Sequence, residues 1–117
     1  MAPIRAPAPT RLKRRAEFLR VASRGRKAAV HGLVLQAMPR GDEEPARIGF
    51  TVTKKVGNAV IRNRTRRRLK EAARLLLQQR AVIGADLVLI GRDTTRGRPF
   101  AALMEDLDRA LIKAGVA

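Results

Sequence analysis

Arg47-Ile48-Gly49-Phe50-Thr51-Val52-Thr53-Lys54-Lys55-Val56-Gly57-Asn58-Ala59-Val60-Ile61-Arg62-Asn63-Arg64-Thr65-Arg66-Arg67-Arg68-Leu69-Lys70-Glu71 is the stretch that decides the fold. Its first part alternates. Ile48, Phe50 and Val52 face one way, and Arg47, Gly49, Thr51 and Thr53 face the other, as in a strand with one face on a core. The alternation stops at Lys54 and Lys55. Gly57 permits a sharp bend, and Asn58 is a suitable helix N-cap. The period then becomes helical. Ile61, Thr65, Leu69, Ala72 and Leu76 share one side of a helical wheel. Asn63, Arg66, Arg67, Lys70 and Arg74 share the other, with Arg62 and Arg64 on the flanks.

Working outward from this helix, its end is expected near Gln79 or Arg80, with Gly84 in the turn that follows. Residues 86–91 contain Leu87, Val88, Leu89 and Ile90 in a row, which predicts a strand covered on both faces. Strand, helix and strand in that order suggest a parallel pairing.

The cationic side of the helix is unfavourable as structure alone. Arg62 with Arg66, Arg64 with Arg68, and Arg66 with Lys70 are like-charged pairs one turn apart, each destabilising by roughly 0.2–0.5 kcal/mol in an isolated helix. Arg62 and Arg64 also lie near the positive end of the helix dipole. A bound polyanion would reverse both penalties, and free N–H groups at the helix start can also bind phosphate. The bland alternative is a solvated basic face. Glu71 as the only acid in the run, above a clean apolar stripe, favours the polyanion.

Composition points the same way. The chain has 117 residues, 26 Lys and Arg against 10 Asp and Glu, and a formal net charge of +16. Its length fits one small domain, and 45% hydrophobic residues are enough for one core. The charge excess indicates nucleic acid first and an anionic membrane surface second. No apolar run approaches the roughly 20 residues needed to span a bilayer. Cysteine is absent, so there is no disulfide framework and no thiolate metal site, consistent with a reducing, cytoplasmic setting. Residues 1–10, with Pro3, Pro7 and Pro9, lack the apolar centre of a secretory signal and read as a disordered arm before a single domain over 11–117.

Residues 11–24 read as a first short helix, stopped by Gly25. Leu12, Ala16 and Leu19 could line one side; Phe18, Val21 and Ala22 another. Arg11, Lys13, Arg14 and Arg15 form a second basic cluster at its start. Aromatics make up only 3% of the chain, so Phe18 is one of few side chains able to stack on a base, although core packing is the usual role of a phenylalanine. Residues 26–38 read as extended, with Gly32 as a break or bulge. His31, the only histidine, has no visible partner for metal or catalysis. Residues 39–45 read as an exposed hairpin loop, whose Asp42, Glu43 and Glu44 are expected to be solvated rather than metal-bound. Pro99 suits a first helical position. Phe100, Leu103, Met104, Leu107 and Leu111 then define a closing helix with Glu105, Asp106 and Asp108 outward.

Catalytic groups are missing. A protein nuclease needs acids converging on metal, or a base and an acid. The acids here fall on a turn, on helix surfaces or beside arginines, with Glu71 an expected ion-pair partner of a neighbouring arginine. No nucleophile has an evident base, and no glycine-rich phosphate loop occurs. Any catalysis is expected to come from a partner.

The pattern from Arg47 to Val60, followed by Arg62-Asn63-Arg64 and Arg66-Arg67, closely resembles the bacterial ribonuclease P protein family. The resemblance extends more loosely through Arg11-Leu12, Phe18, the acidic loop, the strand at Leu87 and the closing helix. It implies an α+β (α/β sandwich) fold, with a small, mostly antiparallel sheet of about four strands, three helices, and one helix in a left-handed crossover, the rare hand. That is the fold of ribosomal protein S5 domain 2. It also implies a subunit of an endoribonuclease in which a catalytic RNA, holding Mg2+, removes the 5′ leader of precursor tRNA. By position, Arg62, Asn63, Arg64, Arg66, Arg67 and Lys70 would meet the catalytic RNA. Phe18, Gln36, Thr51, Thr53 and Lys55 would line a cleft for the single-stranded leader. The turn from Lys54 to Asn58 matches a place where some relatives bind metal, but lysines make poor ligands. Ala22 and Gln36 stand where relatives often carry aromatics, so stacking should be thinner here. Arg68 stands where an apolar residue is common, on the apolar side of the wheel, so it must snorkel to solvent or RNA. The competing readings are a structural RNA-binding protein, such as a small ribosomal component, and a nucleoid or membrane-surface binder acting by charge.

Overall fold

The chain leaves the sheet after Thr51, three residues before the change of period at Lys54, so Val52 and Thr53 fall outside the strand their alternation predicts. In a computed structural model, which describes residues 8–117, the order is β1 (Thr10–Arg11), α1 (Arg15–Arg24), β2 (Arg26–Ala29), β3 (Leu33–Pro39), β4 (Arg47–Thr51), α2 (Ala59–Gln79), β5 (Ala85–Gly91), a 3-10 turn (Asp93–Thr95) and α3 (Phe100–Lys113). The strands form one sheet in the order β1-β4-β5-β3-β2. β4 and β5 pair in parallel, joined by α2, and β1 pairs in parallel with β4. β3 runs antiparallel to both β5 and β2. The sheet is therefore evenly mixed, with a fifth strand, the two-residue β1, beyond the four expected.

Three layers result. α2 and α3 cover one face of the sheet. Leu69, Ala72, Leu76, Leu103, Leu107 and Leu111 meet Leu33, Leu35, Ile48, Leu87 and Leu89 there, all buried. Each fully buried leucine contributes roughly 1.5–3 kcal/mol relative to exposure. α1 lies on the opposite face, where Leu12, Val21 and Val88 are buried with Phe18, Met38 and Ile90 against them. β5 is central, with helices on both sides, as its unbroken apolar run requires.

Three expectations are corrected. The first helix begins at Arg15, not Arg11. Thr10 and Leu12 donate backbone hydrogen bonds to the carbonyls of Ala46 (2.9 Å) and Ile48 (3.0 Å), and this β-edge pairing outweighs helix formation. Glu17 then accepts from the N–H groups of Lys13 and Arg14, capping the helix start. Leu19 and Ala16 face solvent, Leu19 being 55% exposed, because Val21 and Phe18 supply the packing side. Asp106 points inward and is fully buried. Arg98 explains it, donating from Nε (2.8 Å) and Nη2 (3.1 Å) to the carboxylate. Of the expected arm, residues 1–7 lie outside the described residues.

Candidate nucleic-acid interface

The interface is built from two surfaces that meet at the turn after β4. The first is the outer side of α2. Asn58 Oδ1 accepts from the Ile61 N–H (3.0 Å), so the helix starts under an N-cap as its sequence predicts. Gly57 adopts a φ of 155°, and a Cβ there would meet Ile61 Cγ2 at 2.9 Å. The turn therefore needs glycine to bring the helix so close to the strand. Val56 is buried beneath, fixing the turn to the main core.

On this helix Thr65, Leu69, Ala72, Ala73, Leu76 and Leu77 are buried. Asn63, Arg64 and Arg67 are exposed; Arg62, Arg66 and Lys70 are half-buried. None of these cations forms an ion pair with a carboxylate among the described residues. Arg66 Nη1 donates only to Asn63 Oδ1 (3.0 Å). Arg62 Nε is buried with no acceptor among the described residues. Burial first, then Arg11 and Arg66, pull the Lys70 ammonium below its ordinary value. The one acid of the run, Glu71, is held by Arg74 through two hydrogen bonds, 2.6 and 3.1 Å, outside the Arg62–Arg67 group. Like charge gathered without counter-ion is the arrangement a polyanion would relieve.

Arg68 departs from the ridge. It neither reaches solvent freely nor joins the outer cations. Its Nη1 donates to the carbonyls of Thr95 (2.6 Å) and Arg96 (2.9 Å), and its Nη2 to that of Arg98. A guanidinium on the inner flank of the helix thus binds the loop after β5.

The second surface is the α1 face of the sheet, which α1 covers only in part. Cross-strand register sets Gly49, Val88, Gln36 and Lys27 in one row, and Thr51, Ile90, Val34 and Ala29 in the next. The Phe18 ring roofs the first row at Gly49; a Cβ at Gly49 would overlap the ring. Phe18 is itself half-buried, so part of it remains at the surface beside the second row. Phe18, Gln36 and Thr51 therefore share one face. Thr53 and Lys55 lie past the strand end, exposed, on the segment leading to α2.

The side chains of the turn from Lys54 to Asn58 include no carboxylate, imidazole or thiolate. They offer two ammonium groups and an Asn58 oxygen already engaged by Ile61. Among the described residues no group of three His, Cys, Asp or Glu side chains could hold an ion. Among the described residues no helix is long and apolar enough to cross a membrane.

Sequence reading missed the charge network behind the floor. Asp86, 1% exposed, accepts from Arg40 Nη1 (2.6 Å) and from Arg47 Nε (2.8 Å) and Nη2 (2.7 Å). Arg47 Nη1 also reaches Glu17 of α1 (2.6 Å). The available signal was Asp86 as the one charge at the head of a buried run, with Arg47 on the polar face of the strand that pairs with it.

A cationic ridge left unneutralised, on a layered α+β scaffold with no converging acids among the described residues, defines a nucleic-acid-binding protein. The comparisons with known proteins narrow the class. Residues 6–115 match the family model Ribonuclease P. The ribonuclease P protein component of Gluconacetobacter diazotrophicus is 71% identical over 106 residues, 91% of each chain. That of Paramagnetospirillum magneticum is 50% identical over 109 residues, covering 90% of this chain and 82% of its own. Among solved structures, the Staphylococcus aureus RNase P protein superposes with a TM-score of 0.75 at 26% identity, covering 91% of this chain and 95% of its own. The RNase P protein from Thermotoga maritima gives a TM-score of 0.75 at 26% identity, covering 88% and 96%. The chain belongs to the ribonuclease P protein family. Membership makes it part of a ribonucleoprotein endoribonuclease of transfer-RNA processing, with an RNA partner.

Proposed function

We propose that the outer side of α2 docks on the catalytic RNA and that the α1 face of the sheet holds the 5′ leader of precursor tRNA. In this reading Arg62, Asn63, Arg64, Arg66, Arg67 and Lys70 neutralise phosphates of the catalytic RNA. Phe18, Gln36, Thr51, Thr53 and Lys55 guide the single-stranded leader. The RNA subunit carries the active site with its Mg2+, in the bacterial cytoplasm. The protein contributes affinity and alignment, which suits a chain with no converging acids among its described residues.

The observation that carries the proposal is the run of cations on α2 with no carboxylate partner among the described residues, continuous through the turn with a partly open sheet face. RNA bound on α2 and a strand lying on the sheet would meet at that turn. With Phe18 as the aromatic of this face, stacking would add roughly 1–3 kcal/mol for one base and little sequence preference.

Reconstitution tests it. The protein is mixed with a bacterial ribonuclease P RNA at low magnesium and a precursor tRNA carrying a leader. Leader removal is expected to exceed that by RNA alone. No improvement would remove this function and leave a structural RNA-binding protein. Equal binding to single-stranded RNA, duplex DNA and anionic vesicles at matched salt would instead identify a binder acting by charge alone.

A further inference from the structure

A cavity of about 430 Å3 lies between the start of α2 and the loop after β5, lined by Ile61, Arg64, Thr65, Arg68, Asp93 and Arg96. Three of these side chains are guanidinium groups, and Arg68 donates three hydrogen bonds to the loop carbonyls. The loop is held from its other side too. Thr95 Oγ1 donates to the Gly32 carbonyl (2.5 Å) and accepts from the Arg92 N–H (2.8 Å). Thr94 Oγ1 donates to the His31 carbonyl (2.5 Å). The anchored loop presents Arg96 on one wall while α2 presents Arg64 on the other. Neither pairs with a carboxylate among the described residues, and Asp93 pairs with none of the three arginines.

Two free guanidinium groups lining one cavity repel each other until an anion enters, and their planar forks fit phosphate oxygens. The volume exceeds what a bare phosphate fills and falls in the roughly 300–1,000 Å3 range of small-ligand sites. Asp93 adds an acceptor and disfavours a second negative charge. A ribose-phosphate meets all three conditions, with one phosphodiester charge for the arginines and a 2′-hydroxyl to donate to the carboxylate.

We infer that this cavity seats one ribose-phosphate unit of the catalytic RNA, clamped by Arg64 and Arg96, with Asp93 accepting its 2′-hydroxyl. Arg68 is the positioning residue that holds Arg96 in place. The inference rests on the assignment of α2 to the catalytic RNA and adds the loop after β5 to that contact.

The test measures affinity of the full chain for ribonuclease P RNA across a salt series. Arg96→Ala should weaken binding about tenfold and flatten the salt dependence by about one unit of slope. In an Arg68→Leu background, Arg96→Ala should cost nothing further, whereas Arg67→Ala should keep its full effect. Interference mapping with 2′-deoxy-substituted RNA should reveal a position that weakens binding to the unaltered protein but not to Asp93→Ala. If Arg96→Ala changes neither affinity nor slope while Arg67→Ala weakens binding, the cavity is not an RNA site and the α2 assignment stands. If neither variant has an effect, the α2 assignment falls and this inference falls with it.

Discussion

Two groups of arginines sit on the same scaffold under opposite conditions. Arg40 and Arg47, at one end of the β4–β5 pair, are enclosed by acids: Asp86 lies between them, Asp42 reaches Arg40 and Glu17 reaches Arg47. Arg62, Arg64, Arg66 and Arg67 on α2 have no carboxylate partner among the described residues. The first group holds α1 and the hairpin loop to the sheet. The second adds nothing comparable to the fold, and the proposed function gives its charge to an RNA outside the chain. Arginine count alone does not separate these roles; the location of the ten acids does.

The largest effect should come from breaking the enclosed group. Asp86→Ala leaves Arg40 and Arg47 partly buried without their shared counter-ion. Removing one partner of a buried ion pair costs about 3–5 kcal/mol, so urea unfolding should show a loss of that order while the folded fraction still binds RNA. The pH dependence follows from the same carboxyl. Burial alone would raise its pKa, but hydrogen bonds from Arg47 and then Arg40 outweigh that and hold it below the ordinary value of 3.8. A depressed folded pKa means the contribution is complete above the unfolded value and is lost as pH falls through the folded one. Acid unfolding should therefore steepen below about pH 4 in the native chain and flatten in Asp86→Ala. A variant as stable as the native chain would deny the enclosed group its structural role.

The free group should respond in the opposite sense. Arg64→Ala with Arg67→Ala removes two charge-assisted contacts of about 1.5–3 kcal/mol each, so affinity for the catalytic RNA should fall by about a hundredfold or more. Thermal stability should hold or rise slightly as like-charge repulsion is relieved. Unchanged affinity would remove the contrast between the groups. Phe18→Leu is expected to be subtler. It keeps apolar bulk over Gly49 but loses the ring, so affinity for precursor tRNA with a leader should drop several-fold, in line with roughly 1 kcal/mol of stacking. Affinity for leaderless product should not change. Equal loss for both substrates would make Phe18 a core residue only.

The contrast was half legible in the sequence. Local period was enough for β4, the turn, α2 and β5, because each buries one continuous stripe or run. Asn58 and Gly57 mark the helix start by chemistry that acts within four residues. What escaped was non-local. β1 exists because residues 10 and 12 find the free edge of β4, which no period in a two-residue strand can announce. Asp106 reads as solvent-facing until Arg98 is brought over it. Arg68 reads as a misplaced cation until the loop after β5 turns its carbonyls toward it. The outer cations of α2 were legible because the helical period alone puts them opposite the buried stripe. The cavity shared with Arg96 was not, since 28 residues of chain separate Arg68 from that loop carbonyl.

Glu71 gives the smallest and most discriminating prediction. It is the one acid on the outer side of α2, and Arg74 occupies both of its oxygens. Arg74 holds the carboxyl below its ordinary pKa, although both groups are largely exposed. Exposed pairs one turn apart are screened by salt and add little to folding. Glu71→Gln should therefore leave the melting temperature unchanged within error. Its effect on RNA should nevertheless be favourable, because the variant removes a negative charge from the edge of the ridge and releases Arg74 toward phosphate. An affinity gain of up to about threefold, larger at low salt, is expected from one exposed charge. If Glu71→Gln weakens RNA binding, the ridge ends before Lys70 and Arg74 faces something other than RNA. The boundary between arginines held by the chain and arginines left for its partner would then lie one helical turn closer to the N-terminus of α2.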